Sequence, residues 1–195
     1  MNVSAEAPLL ISLGRLHVKK RLDLLAAAFE RILPLHPLAH LAIAGPDEAD
    51  YRRKVESRFA AVSRSVHWTG ELQDAEKWGL FADATALVMC SDSENFGLVV
   101  LEALAAGVPV VVVQTCPWEE VQTARCGFWV PQSAEAIADA LLALLRDPEG
   151  ARAMGERGRA LARAKYSWDA IARAMADRYE AVVHARSGRV AAHEP

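Results

Sequence analysis

Two unbroken apolar runs of strand length, Thr85–Cys90 (TALVMC) and Pro109–Val113 (PVVVV), flank a segment too apolar for a surface helix, and this restricts the fold more than any other feature. A strand that is apolar at every position is covered on both faces, as in a parallel sheet between two helix layers. Parallel neighbours need a crossover between them. Phe96–Ala106 supplies it: nearly every residue is apolar, as expected of a helix packed on most sides, and Gly107 followed by Pro109 marks its end. The turn of this unit, Ser91-Asp92-Ser93-Glu94-Asn95, falls at the carboxyl end of a parallel strand, where open α/β sheets place ligands.

The rest of the chain alternates in the same way. Pro8–Leu13 reads as a strand running into Gly14-Arg15-Leu16, and Arg21–Leu33 carries apolar residues at helical spacing. Leu38–Ala44 is a second strand closed by Gly45-Pro46-Asp47, and Glu48–Val62 a charged amphipathic helix. Val66–Thr69 is a third strand, after which Asp74 is expected to cap a helix reaching Ala82. Beyond the central unit, Gly127–Val130 is a last short strand, and Ser133–Leu145, Gly150–Ala164 and Trp168–Ala185 read as helices. The alternation predicts an α/β, doubly wound, Rossmann-like parallel sheet of about six strands with helices on both faces, in a single domain. The ends, Met1–Ala7 and Ser187–Pro195, are expected to be disordered.

A net charge of −3 gives no reason to expect nucleic acid as a partner. Cys90, Cys116 and Cys126 are too far apart for a CxxC motif and read as reduced structural thiols, which points to a cytoplasmic setting. The six histidines show no H-x3-H or H-E-x-x-H spacing, so no metal site is expected. Neither a G-x-G-x-x-G fingerprint after the first strand nor a P-loop is present.

Two groups of residues carry chemistry. Free N–H groups in the first turn of a helix attract an anion, so the helix start at Phe96-Gly97-Leu98 suits a phosphate, with Gly97 permitting close approach to the backbone. Glu94 stands just before that helix and Glu102 two turns into it, on roughly the same face, since eight residues at about 100° each end about 80° past two full turns. A carboxylate accepts from two neighbouring hydroxyls at once, so the pair suits a ligand with two sugar rings. At the same sheet edge, Gly14-Arg15-Leu16 and Lys20 place a planar guanidinium and a mobile ammonium where they can neutralise a diphosphate.

Glu94, seven residues, Glu102, within SxSExFGLVVLEALAAGVPVV, resembles the E-x7-E motif of the family 4 ("group 1") retaining glycosyltransferases of the GT-B fold. The resemblance implies that Glu94 meets the donor sugar's hydroxyls, that the backbone at Phe96, Gly97 and Leu98 meets sugar and diphosphate, and that Glu102 holds the ribose. Gly14, Arg15 and Lys20 resemble the family's Gly-Arg-Leu, three residues, Lys-Gly segment, with Arg21 standing where the family has the glycine. Leu72 lies in the loop after the third strand, where the family receives the nucleotide base, so the resemblance implies it as the base contact; a plain strand-to-helix turn is the alternative. Thr115-Cys116-Pro117-Trp118-Glu119-Glu120 departs from the family's glycine-containing loop; Trp118 is expected to pack on Trp129 rather than line the donor-sugar pocket.

The resemblance covers residues 8–185 and matches only the carboxyl-terminal, donor-binding half of a GT-B enzyme. It therefore implies a nucleotide-sugar (UDP- or GDP-linked) donor, no cofactor, and an amino-terminal acceptor domain supplied by the rest of the enzyme or a partner chain. Any peripheral membrane association would come through that missing half, and part of the apolar face of the last helix, which crosses to it in such enzymes, would be exposed. The implied activity is transfer of a sugar to an acceptor hydroxyl in polysaccharide, lipopolysaccharide or glycolipid synthesis. A nucleotide-sugar 2-epimerase of the same fold, or a non-catalytic module that binds nucleotide sugar or protein, are the alternatives.

Overall fold

A computed structural model describes residues 3–4 and 6–191, with side chains as far as residue 184. Among the described residues, six parallel strands form one sheet: β1 (Leu9–Leu13), β2 (His40–Ala44), β3 (Val66–Gly70), β4 (Ala86–Met89), β5 (Val110–Val113) and β6 (Gly127–Val130), in the order β3-β2-β1-β4-β5-β6. The chain winds outward from β1 in one direction, returns, and continues from β4 in the other. The sheet therefore has its switch point between β1 and β4, which pair through Leu10 with Ala86 and Ile11 with Leu87.

The strands form where β-branched and other apolar residues run unbroken. All four residues of β4 and all four of β5 are buried, and the sheet closes against α1 (Leu22–Ile32), α4 (Leu98–Ala106) and α6 (Ala134–Arg146). Burying a valine side chain stabilises the fold by about 1.5 kcal/mol or more, so the Val110–Val113 run anchors the half of the sheet formed by β4, β5 and β6. On one face α1 packs against α6; its buried residues Leu22, Leu25, Ala28, Phe29 and Ile32 belong to the stripe that its spacing predicted, and Ala26 is buried beside them. On the other, α4 packs against α3 (Asp74–Asp83) and α7 (Pro148–Tyr166). The segment between β2 and β3 is not the single helix its pattern predicts: Ala49 and Asp50 adopt positive φ, α2 covers only Tyr51–Val55, and residues 56–65 are a 3-10 helix. Only Val55, Phe59 and Val62 are buried there, a stripe that fits either helix type.

Three boundaries differ from expectation in ways that bear on function. Helix α4 starts at Leu98, not Phe96, because Gly97 takes a left-handed conformation at φ 79°. Helix α3 is preceded by Gln73, whose N–H is accepted by the Glu76 carboxylate at 2.9 Å, so Asp74 is its first residue rather than its cap. After α5 (Glu120–Thr123), β6 and α6–α7, helix α8 spans Trp168–Ala191, so Ser187–Ala191 are helical where disorder was expected. The same expectation for Met1, Asn2, Ala5 and residues 192–195 lies outside the described residues.

Candidate functional site

Three glycines with positive φ, Gly14, Gly45 and Gly70, end β1, β2 and β3 and let their loops stack closely. Gly14 N–H donates to Ala44 carbonyl at 2.9 Å and Gly45 N–H to Gly70 carbonyl at 2.7 Å. A Cβ on Gly45 would sit 2.0 Å from the Gly14 oxygen, so no other residue fits. This close stack lowers the floor beside the switch point, and two adjoining depressions open on either side of the Gly14–Arg15 loop.

The first depression, about 420 Å³, is lined by Arg15, His17, Lys20, Glu94, Phe96 and Gly97, among others. Lys20 Nζ lies 2.5 Å from Glu94 Oε1, and both side chains are mostly buried. Arg15 stands at the exposed rim, its guanidinium 2.8 Å from Glu48. The N–H groups of Gly97, Leu98 and Val99 take no partner from the described residues, so the start of α4 leaves its positive end open to the depression.

The second depression, about 210 Å³, is lined by Gly14, Gly45, Glu71, Leu72, Lys77 and Glu102, among others. Lys77 Nζ is 2.9 Å from Glu102 Oε1. The predicted residues are thus brought to one sheet edge but not to one face of a helix: Glu94 precedes the left-handed Gly97, so the rotation linking it to Glu102 does not hold, and each carboxylate faces its own depression with its own lysine. A larger hollow, about 800 Å³, runs along the outer edge of β3 between residues 52–63 and α3; of the predicted residues it touches only Leu72.

The basic triplet sorts itself by contact. Lys20 lies over Gly14, with its Cε 3.4 Å from where a Gly14 Cβ would be, and reaches Glu94. Arg21, at φ 49°, occupies the left-handed position that a glycine would take without strain. Its side chain compensates, with Nε and Nη2 on the Asp23 carboxylate at 3.1 and 3.2 Å and Nη1 on Asp92 at 3.0 Å. Burial alone would raise the Asp23 carboxyl, but the Arg21 guanidinium outweighs it and holds it below the usual carboxylate range. Gln132 donates both to Asp92 and to the Cys90 carbonyl at 3.0 Å, so the loops after β1, β4 and β6 are tied together.

The departing loop after β5 buries Cys116 and Trp118, leaves Gln114, Thr115, Pro117 and Glu119 exposed, and is tied down by hydrogen bonds. Thr115 hydroxyl donates to the Ser91 carbonyl at 2.6 Å, and Trp129 indole N–H to the Cys116 carbonyl at 3.0 Å. Trp118 packs as expected rather than lining the pocket, but on Phe96 and Tyr166 (ring centroids 5.1 and 5.8 Å), not on Trp129. The three cysteines are buried and free; burial pushes the Cys116 and Cys126 thiols up to about 11 and Cys90 higher still, so all three are protonated and unreactive at neutral pH.

Sequence reasoning missed Lys77, Glu48 and Glu71. Lys77 was accessible to it in principle, because it lies in the first turns of the helix after β3, at the same sheet edge as the predicted residues; its partner, however, is fixed only by the packing of α3 on α4.

Residues 2–161 match the family described as "Glycosyl transferases group 1". The sulfoquinovosyl transferase SQD2 of Arabidopsis thaliana is 33% identical over 87% of this chain and 32% of its own length. A GDP-mannose-dependent alpha-(1-6)-phosphatidylinositol dimannoside mannosyltransferase of Mycobacterium tuberculosis is 33% identical over 86% of this chain and 42% of its own. The structure of a sucrose-phosphate synthase from Thermosynechococcus elongatus superposes with a TM-score of 0.79 at 30% identity, covering 94% of this chain and 47% of that one. The chain thus spans less than half the length of these proteins.

Proposed function

Since the chain belongs to the group 1 glycosyl transferases, we propose that it is the nucleotide-sugar-binding half of a retaining enzyme that moves a sugar from a nucleoside diphosphate donor to an acceptor hydroxyl. The observation that carries this reading is the pair of depressions beside the Gly14–Arg15 turn, one holding Glu94 with Arg15, Lys20 and the open start of α4, the other Gly14 and Glu102 with Lys77. Their spacing along the sheet edge suits a ligand whose ribose and base lie on the Glu102 and Leu72 side, whose diphosphate crosses Gly14, and whose sugar ends at Glu94.

In this reading Glu102 accepts from the ribose hydroxyls and Leu72 packs on the base. The N–H groups at Gly97 and Leu98, with Arg15 and Lys20, meet the diphosphate and stabilise its charge as it leaves, an electrostatic contribution of the kind worth about 3 kcal/mol per well-placed donor. Glu94 accepts from the hydroxyls of the sugar whose anomeric carbon becomes electron-poor. Before the donor arrives Lys20 and Glu94 neutralise each other; a bound diphosphate draws the ammonium to itself and releases the carboxylate to the sugar. The acceptor half comes from the rest of a longer enzyme or a partner chain, and the class of product is a polysaccharide, lipopolysaccharide or glycolipid. The name of one relative, a GDP-mannose-dependent enzyme, supports a nucleoside diphosphate sugar as donor; the base of this chain's donor, UDP- or GDP-linked, is what the titration below names.

Calorimetric titration of the chain with UDP, GDP and their sugar conjugates tests the reading. Saturable binding of one nucleoside diphosphate, weakened by Glu102→Ala and by Arg15→Ala, is expected. No binding at millimolar concentration, or binding indifferent to both substitutions, defeats it.

A further inference from the structure

We propose that Trp118 is a positioning residue that aims the Gly97 amide at the donor's diphosphate, an inference that deepens the donor-site reading and rests on it. The Trp118 side chain is only 1% exposed, and its indole N–H donates to the Phe96 carbonyl. The 96–97 peptide is trans, so its C=O and N–H lie in one plane and point in opposite directions. With the Phe96 oxygen turned inward to the indole, the Gly97 N–H is turned away from it, toward the depression that Phe96, Gly97 and Leu98 line together with Arg15 and Lys20. That N–H takes no partner from the described residues.

The peptide needs such a hold because of the residue that follows it. Gly97 sits at φ 79°, ψ 62°, and glycine occupies either side of φ with little cost, so the peptide can flip with small change elsewhere. The flipped form would present the Phe96 carbonyl, the negative end of the peptide dipole, to the phosphates, and the site would repel what it now attracts. A side chain at position 97 cannot prevent this, since a Cβ there would lie 3.3 Å from the Trp118 nitrogen and 3.4 Å from Met89, at a φ that other residues rarely adopt. The indole does it from outside. It is fixed in turn by ring contacts with Phe96 and Tyr166, and the Tyr166 hydroxyl donates to Glu120 at 2.7 Å.

The substitution Trp118→Phe keeps an aromatic ring and removes the donor. With the base that the wild-type chain binds, affinities for the nucleoside diphosphate and monophosphate are measured by calorimetry for wild type, Trp118→Phe and Tyr166→Phe. Loss of one hydrogen bond to an anionic ligand weakens the diphosphate about tenfold, with the monophosphate little changed, so the gap between them narrows. Tyr166→Phe keeps the indole bond and the gap. A gap unchanged in Trp118→Phe, or equal weakening of both ligands, overturns the proposal, because general loosening of the loop would do that. Failure of wild type to bind any nucleotide defeats the donor reading itself and this inference with it. Should Trp118→Phe not fold, amide spectra of the wild-type chain titrated with inorganic pyrophosphate decide: a shift of the Gly97 amide supports the proposal, and shifts at Arg15 and Lys20 without one at Gly97 overturn it.

Discussion

Charges at this site are paired before any ligand is present, and that changes what a substitution should do. Lys20 and Glu94 are 2.5 Å apart in a mostly buried setting, so the ammonium that would neutralise a diphosphate is held by a carboxylate that would repel it. Replacing Glu94 by Gln keeps the shape, frees Lys20 and removes the negative charge. The chain should then bind plain UDP or GDP several-fold more tightly while losing preference for the sugar conjugate, and in the complete enzyme turnover should fall. Calorimetry with and without the sugar separates the two effects; weaker binding of the plain nucleotide in Glu94→Gln would show that Glu94 supports the diphosphate rather than competing for its cation. Glu102 is the contrasting case. Its partner Lys77 comes from α3, and the ribose contact proposed for it would be nearly uniform along the reaction, so Glu102→Ala should raise KM more than it lowers kcat.

At the scale of elements, the closest fit lies where α7 crosses α4, behind the site. A Cβ at Gly155 would be 1.8 Å from the Gly107 carbonyl oxygen, and one at Gly158 would be 2.8 Å from the Leu104 Cδ2. Arg159 then reaches the Ala106 carbonyl at 2.6 Å, closing the end of α4 where Gly107 turns left-handed. Gly155→Ala must push α7 off a backbone oxygen, at a cost of about 1–3 kcal/mol that the better helix propensity of alanine offsets by about 1 kcal/mol. Gly158→Ala meets only the end of a leucine, which can shift, so its melting temperature should stay near wild type while that of Gly155→Ala falls by several degrees. Equal losses would mean that α7 is not held at Gly155. None of this was legible in the sequence, where ARAMGERGRALARA reads as an amphipathic helix and nothing distinguishes a glycine that touches another backbone from one that faces water. The strands, by contrast, were legible to within a residue or two, because continuous β-branched runs in a covered sheet have few other readings. The start of α4 was misplaced for a physical reason: Phe96 continues the apolar pattern of the helix, yet it belongs to the turn, where its ring and carbonyl are both committed to Trp118.

For the molecule as a whole, topology made the position of the site readable and left its internal pairing hidden. The alternating pattern placed Gly14, Arg15, Lys20 and Glu94 at one sheet edge, and the order β3-β2-β1-β4-β5-β6 puts that edge at the switch point. Which lysine meets which carboxylate depends on loop paths that a single sequence does not encode locally. One element lies largely apart from the compact body. Helix α8 meets it mainly through α7, and Trp168, Met175, Tyr179 and Val182, spaced by seven, four and three residues, form one exposed apolar face, with Trp168 86% and Tyr179 64% exposed. Among the described residues no helix is long and apolar enough to cross a membrane, so this face is not a span. The donor-half reading assigns it to the acceptor half, and on that reading the isolated chain should bind the apolar dye anilinonaphthalene sulfonate in its native state. The double substitution Trp168→Ser, Tyr179→Ser should abolish most of that fluorescence and leave the melting temperature within about 2 °C, since exposed side chains contribute little to stability. A melting temperature that drops as far as for a core substitution would show instead that the face is packed within this chain, and the surface left for an acceptor half would have to be sought elsewhere.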